Sequence, residues 1–63
     1  MARYKWVGFG IRGEGDRVKR QSFELTISAS KDFARAEVDD YKRLLKEDGW
    51  RILSENMWTV QGR

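Results

Sequence analysis

Apolar and polar residues alternate along two stretches near the N-terminus, a pattern typical of β-strands with one buried face. The first stretch runs from Arg3 to Arg12 and the second from Arg17 to Ser28. Residues 13–16 between them include two glycines, which tolerate the positive φ of a tight loop. The two strands are therefore predicted to form an antiparallel hairpin. Its buried face is predicted to carry Val7, Phe9, Ile11, Phe23, Leu25 and Ile27.

The pattern then changes to the three- and four-residue spacing of an amphipathic helix, predicted from Lys31 to Asp48. Ser30 precedes this helix as an N-cap whose side chain accepts a backbone hydrogen bond, and Gly49 follows it as the C′ residue. The helix is predicted to cover the sheet with its apolar residues, which are Phe33, Ala34, Val38, Tyr41, Leu44 and Leu45.

Alternation resumes between Trp50 and Val60, which predicts a third strand, although Ser54 and Asn56 interrupt its apolar face. A β-bulge near residues 54–56 would reconcile the two halves of this strand, and a short hairpin at the same point is the alternative. Trp50 and Trp58 are expected in the core, unless the bulge moves Trp58 to the opposite face of the sheet.

The order strand, strand, helix, strand predicts a single α+β domain over residues 1–63, of the β-β-α-β type. The expected architecture is a three-stranded antiparallel sheet in the order 2-1-3, with one helix packed on one face. The opposite face of the sheet then has no second layer. With the hairpin oriented as above, Tyr4 and Trp6 point to that open face, so Trp6→Ala is expected to weaken binding without unfolding the protein.

Composition narrows the classes of function. The chain contains neither cysteine nor histidine, which removes the disulfide, the thiolate metal site and the commonest acid–base side chain. We therefore expect no enzymatic activity, no cofactor and no metal. No apolar run is long enough for a membrane span or a secretory signal, which predicts a soluble cytoplasmic protein without a membrane partner.

Charge is distributed unevenly. Residues 1–28 hold six Lys or Arg against three Asp or Glu, whereas residues 29–63 hold seven of each sign. The whole net charge of +3 thus falls within the predicted hairpin. Aromatic rings can stack on bases or anchor a protein interface, and cations can contact phosphates. The predicted partner-binding residues are Tyr4, Trp6, Arg12, Arg17, Lys19 and Arg20. The alternative is that Trp6 only shields the glycines beside it.

Two segments carry a resemblance to known proteins. The strand opening at residues 4–7, YKWV, and the segment at residues 44–53, LLKEDGWRIL, resemble a group of small uncharacterised bacterial and phage proteins. That group has an N-terminal YK strand and a GW pair that opens its C-terminal strand. The β-β-α-β arrangement is also similar in topology and size to small phage inhibitors of host machinery, including inhibitors of RNA polymerase.

Three functional hypotheses follow. The first is a non-enzymatic module of phage or mobile-element type that docks on a host protein or nucleoprotein complex and occludes it through the open face. The second is direct binding of DNA or RNA by the basic hairpin, with an affinity that falls steeply with salt. The third is a self-associating structural protein, a homodimer whose interface hides Trp6.

Overall fold

The fold was analysed in a computed structural model, which describes residues 2–60. Strand β1 spans Arg3–Arg12, strand β2 spans Lys19–Ser28, helix α1 spans Lys31–Glu47 and strand β3 spans Trp50–Val60. The strands form one antiparallel sheet in the order β2-β1-β3. The predicted α+β fold and strand order are confirmed.

The hairpin between β1 and β2 closes through residues 13–18, which include a short 3₁₀ turn at Gly15–Arg17. Gly13 adopts φ = 97°, and a Cβ at this position would also collide with the carbonyl oxygen of Arg17. Glycine is therefore required there on two grounds. The loop pairs Arg12 with Lys19, and this pairing fixes the register along the whole hairpin.

The register reverses the predicted orientation of β1. Trp6 lies directly opposite Leu25, and Gly8 lies opposite Phe23. Because directly opposite residues in a sheet point to the same side, even-numbered residues of β1 share a face with odd-numbered residues of β2. The predicted core face of β2 is correct, but the predicted faces of β1 are exchanged: Trp6 faces the helix, and Val7 and Phe9 do not.

The core is built mainly from aromatic rings. Trp6 is only 1% exposed and makes an edge-to-face contact with Tyr41 at a centroid distance of 5.8 Å. Phe23 contacts Trp50 in the same way at 5.1 Å. The Trp6 ring extends over Gly8, where a Cβ would overlap its six-membered ring. Half-buried residues complete the core, namely Leu25, Ile27, Tyr41, Leu45, Ile52 and Met57.

Helix α1 begins at the predicted residue, Lys31, and ends at Glu47, one residue before the predicted Asp48. The Ser30 side chain accepts a hydrogen bond from the backbone N–H of Phe33, and Gly49 follows the C-cap with φ = 95°. The buried face is narrower than predicted, with Ala34 and Val38 at its centre, so that Phe33 and Leu44 are exposed. The prediction that these two residues help to cover the sheet is wrong.

Strand β3 is one bulged strand rather than a hairpin. Phe9 pairs with Ser54 and Gly10 pairs with Ile52, so Leu53 is the extra residue of the bulge. The bulge changes which residues face the helix: Trp50 and Ile52 do so before it, and Met57 does so after it.

Candidate binding surface

The sheet face opposite the helix has no covering layer within residues 2–60. The register and the strand alternation place fifteen side chains of the three strands on this surface, which we call the open face. Its members are Arg3, Lys5, Val7, Phe9, Ile11, Arg20, Ser22, Glu24, Thr26, Ser28, Arg51, Ser54, Asn56, Trp58 and Val60.

Two aromatic side chains dominate the open face. Phe9 is 37% exposed on the central strand, and Trp58 is 42% exposed on β3. They border a shallow depression of about 490 Å³, which is also lined by Ser22, Ser54 and Asn56. The depression thus combines two apolar rings with the hydrogen-bonding groups of these three residues. Glu55 also borders it, with its carboxylate bonded to Trp6 and Lys42.

The open face is strongly basic. It holds four cations, of which two lie toward each end of β1, and a single anion, Glu24. The net charge of the open face is therefore +3. Glu24 forms an ion pair with Lys5 at 2.8 Å, and both groups remain partly exposed. An exposed ion pair contributes at most about 1 kcal/mol to the free energy of unfolding. Lys5 can therefore leave Glu24 and pair with an anionic ligand with little loss of stability.

Of the six predicted binding residues, only Arg20 lies on the open face, opposite Ile11. Tyr4 and Trp6 lie on the helix-facing side of the sheet, where Tyr4 is half-buried opposite Ile27 and Trp6 is buried. Their predicted placement on the open face is wrong, because the even-numbered residues of β1 face the helix. The alternative that Trp6 covers the glycine backbone describes its actual position.

Arg12 also lies on the helix side, at the end of β1. Its guanidinium lies 5.9 Å from the Trp50 ring centroid and forms an ion pair with Asp48 at 3.3 Å. Arg12 was predicted to bind a partner on the open face together with Tyr4 and Trp6, and this placement is wrong for Arg12 as well. Lys19 pairs with Arg12 across the hairpin, and Arg17 lies in the loop, so both are exposed but lie away from the open-face aromatics.

Sequence reasoning placed Phe9 in the core and gave no binding role to Lys5, Arg51 or Trp58. The pattern did contain one indication, since Trp58 was expected in the core unless a bulge moved it to the opposite face. The length of the hairpin loop fixes which residues of β1 and β2 lie opposite each other, and this decides which face of β1 is buried. With Arg12 paired to Lys19, a register that buries Leu25 also buries Trp6.

A polar network supports the buried Trp6 on the helix side. Its indole N–H donates to Glu55 Oε1 at 3.0 Å, and Lys42 Nζ donates to Glu55 Oε2 at 2.8 Å. These two hydrogen bonds, together with the positive charges of Lys42 and Arg35, hold the pKa of Glu55 below its ordinary value, although partial burial opposes them. The network satisfies the Trp6 donor, so we assign it a structural role.

These features define a small α+β protein whose sheet has one face closed by a helix and one open, basic, aromatic face. No family model, no curated protein and no solved structure matches the chain. Within residues 2–60, the helix is too short and too polar to span a membrane.

Proposed function

We propose that this protein is a small non-enzymatic binding module that docks its open face onto a macromolecular partner. The observation that carries the proposal is the coincidence of exposed Phe9 and Trp58 with four cations and a single anion on one uncovered sheet face. Exposed aromatic surface gains free energy when a partner removes it from water. Tryptophan and arginine side chains, both present here, often dominate binding energy at interfaces.

A module of this kind acts by occlusion, because it covers a surface of its partner without chemical change. The absence of histidine and cysteine from the sequence is consistent with such a role. The resemblance to small bacterial and phage proteins suggests a phage or mobile-element accessory protein. Its proposed target is a host protein or nucleoprotein complex.

The test compares two matched double variants. Phe9→Ala/Trp58→Ala removes the aromatic rings of the open face, and Phe33→Ala/Leu44→Ala removes two exposed apolar side chains of the helix. Each variant and the wild type are immobilised and exposed to a bacterial lysate, after circular dichroism has shown that both variants are folded. We expect the open-face variant to lose the macromolecules retained by the wild type, and the helix variant to keep them. If retention instead depends on Phe33 and Leu44, the proposed function is wrong.

A further inference from the structure

The charge of the open face selects an anionic partner. Arg3 and Lys5 lie toward one end of β1, and Arg20 and Arg51 flank Ile11 near the other end. Phe9 lies between these two pairs of cations, and Trp58 lies beside Lys5 at the level of the first pair. A ligand that lies along the strands therefore meets positive charge toward both ends and aromatic surface from Trp58 to Phe9.

The middle of the open face suits planar groups that also form hydrogen bonds. Trp58 lies directly opposite Lys5, and Phe9 is diagonal to Arg20, so each ring has a cation within reach. The depression between the rings offers the hydroxyl groups of Ser22 and Ser54 and the amide of Asn56. Unpaired bases stack on such rings and expose polar edges, whereas the bases of a duplex are already stacked on one another.

A second copy of the chain is a poor fit to the same surface. A two-fold symmetric dimer would place the open face against itself, because such an interface uses the same patch on both subunits. That arrangement brings together two surfaces that each carry three net positive charges. Like charges opposed across an interface are unfavourable.

We propose that the open face binds single-stranded nucleic acid, with bases stacked on Phe9 and Trp58 and phosphates held by Lys5, Arg20 and Arg51. The inference rests on the proposed function: of the two targets given there, it selects the nucleoprotein complex and names unpaired nucleic acid as the part that the open face contacts. Arg3 adds positive charge beside Lys5. Stacking is tolerant of sequence, so the expected preference is for unpaired strands over duplexes rather than for one base sequence.

The test uses fluorescence anisotropy with short labelled DNA and RNA oligonucleotides, each as a single strand and as a duplex. We expect tighter binding of the single strands. We also expect log K to fall with log salt at a slope of about −2 to −3, since three or four phosphates are neutralised at about 0.7 each. Phe9→Ala or Trp58→Ala should weaken binding by about 5- to 150-fold, which corresponds to about 1–3 kcal/mol per stacked base. Phe33→Ala should leave it unchanged.

Tryptophan fluorescence locates the contact independently. Trp6 and Trp50 are buried, so quenching by an oligonucleotide should come from Trp58 and disappear in Trp58→Phe, which retains a ring for stacking.

The proposed phosphate contacts are tested by the salt dependence of binding. Arg20→Gln should reduce the slope of log K against log salt by about 0.7, whereas Arg43→Gln on the helix should not change it. Arg43 is a suitable control because it pairs with Asp40 on the exposed side of the helix.

Three results would overturn the inference. The first is no binding of single strands at low salt, and the second is equal binding of duplexes that is insensitive to Phe9 and Trp58. The third is an open face that buries itself in a dimer, seen by sedimentation as self-association lost in the Phe9→Ala/Trp58→Ala variant. If the lysate experiment shows open-face-dependent retention that survives nuclease treatment while oligonucleotides do not bind, the partner is a protein. The proposed function then stands and this inference does not.

Discussion

At the scale of single residues, the fold depends on a close fit between Trp6 and Gly8. The indole ring occupies the space that a side chain at position 8 would need, and its N–H is satisfied by Glu55. A large aromatic side chain is thus buried in a short chain without leaving a polar atom unpaired. The same pair explains why a glycine in the middle of the central strand is favourable here.

The Glu55 network makes a prediction about pH. Because the folded-state pKa of Glu55 is lowered, its contribution to stability is present above the ordinary glutamate pKa of about 4.3 and is lost as pH falls through the lower folded value. Glu55→Gln keeps an oxygen for Trp6 but removes the charge. We expect it to lower the free energy of unfolding by roughly 0.5–1 kcal/mol at neutral pH, with the deficit shrinking toward pH 3.

Urea unfolding followed by circular dichroism at both pH values measures this difference. Glu24→Gln is the control, because it removes a carboxylate from an exposed ion pair with no buried donor behind it. A Glu55→Gln deficit that stays constant between neutral and acidic pH would show that the charge of Glu55 is not what stabilises the network.

At the scale of elements, each end of the helix has a local cause. The helix begins where Ser30 accepts the N–H of Phe33, and it ends where the Asp48 and Gly49 N–H groups bond carbonyls of the last turn. Gly49 then takes the left-handed conformation and directs the chain into β3. Because Trp50 enters the core directly after it, this turn also positions the third strand.

Gly49→Ala tests the helix end. A Cβ at position 49 would meet only the Arg12 side chain, at an ordinary contact distance of 3.7 Å, so the cost is conformational rather than steric. We expect a loss of about 1–2 kcal/mol in the free energy of unfolding. Gly49→Asn should lose less, because asparagine tolerates the left-handed region. Equal stability of all three proteins in urea unfolding would refute this explanation.

At the scale of the whole molecule, the protein is a thin two-layer slab. Its Cα atoms extend over 45 × 20 × 12 Å, with the helix on one side of the sheet and the open face on the other. The single helix covers only one face of the sheet. The residues that stabilise the fold therefore lie mainly on the helix side, and the residues proposed to bind a partner lie on the open face. Substitutions should therefore divide into those that affect folding and those that affect binding.

Two tryptophans test this division. Trp6→Ala is expected to lower the free energy of unfolding by about 3–5 kcal/mol. That is a large part of the total free energy of unfolding, roughly 3–9 kcal/mol, that is expected for a domain of this length. Trp58→Ala should cost clearly less than Trp6→Ala, because Trp58 is already 42% exposed on the open face. Circular dichroism during urea unfolding is the suitable measurement, since it does not depend on the tryptophans themselves. Similar losses for the two variants would contradict the assignment of faces.

The elements themselves were predictable because their causes are local. Alternation identified the strands, spacing identified the helix, Ser30 and Gly49 marked its ends, and the interruption at Ser54 indicated the bulge. The strand order followed from the connections. The candidate site was not predictable in the same way. Of the six residues predicted to bind a partner, only Arg20 lies on the open face.

The sequence alone determined the elements, their order and the separation of β1 into two sets of side chains, because these depend on neighbours along the chain. Which set is buried was decided only in the tertiary structure, since both sets are apolar: Tyr4 and Trp6 on one side, Val7 and Phe9 on the other. The decision came from the hairpin register, which places Trp6 beside Leu25, and from Gly8, which makes room for its ring. Both depend on pairing across strands, and the composition of the open face is their consequence.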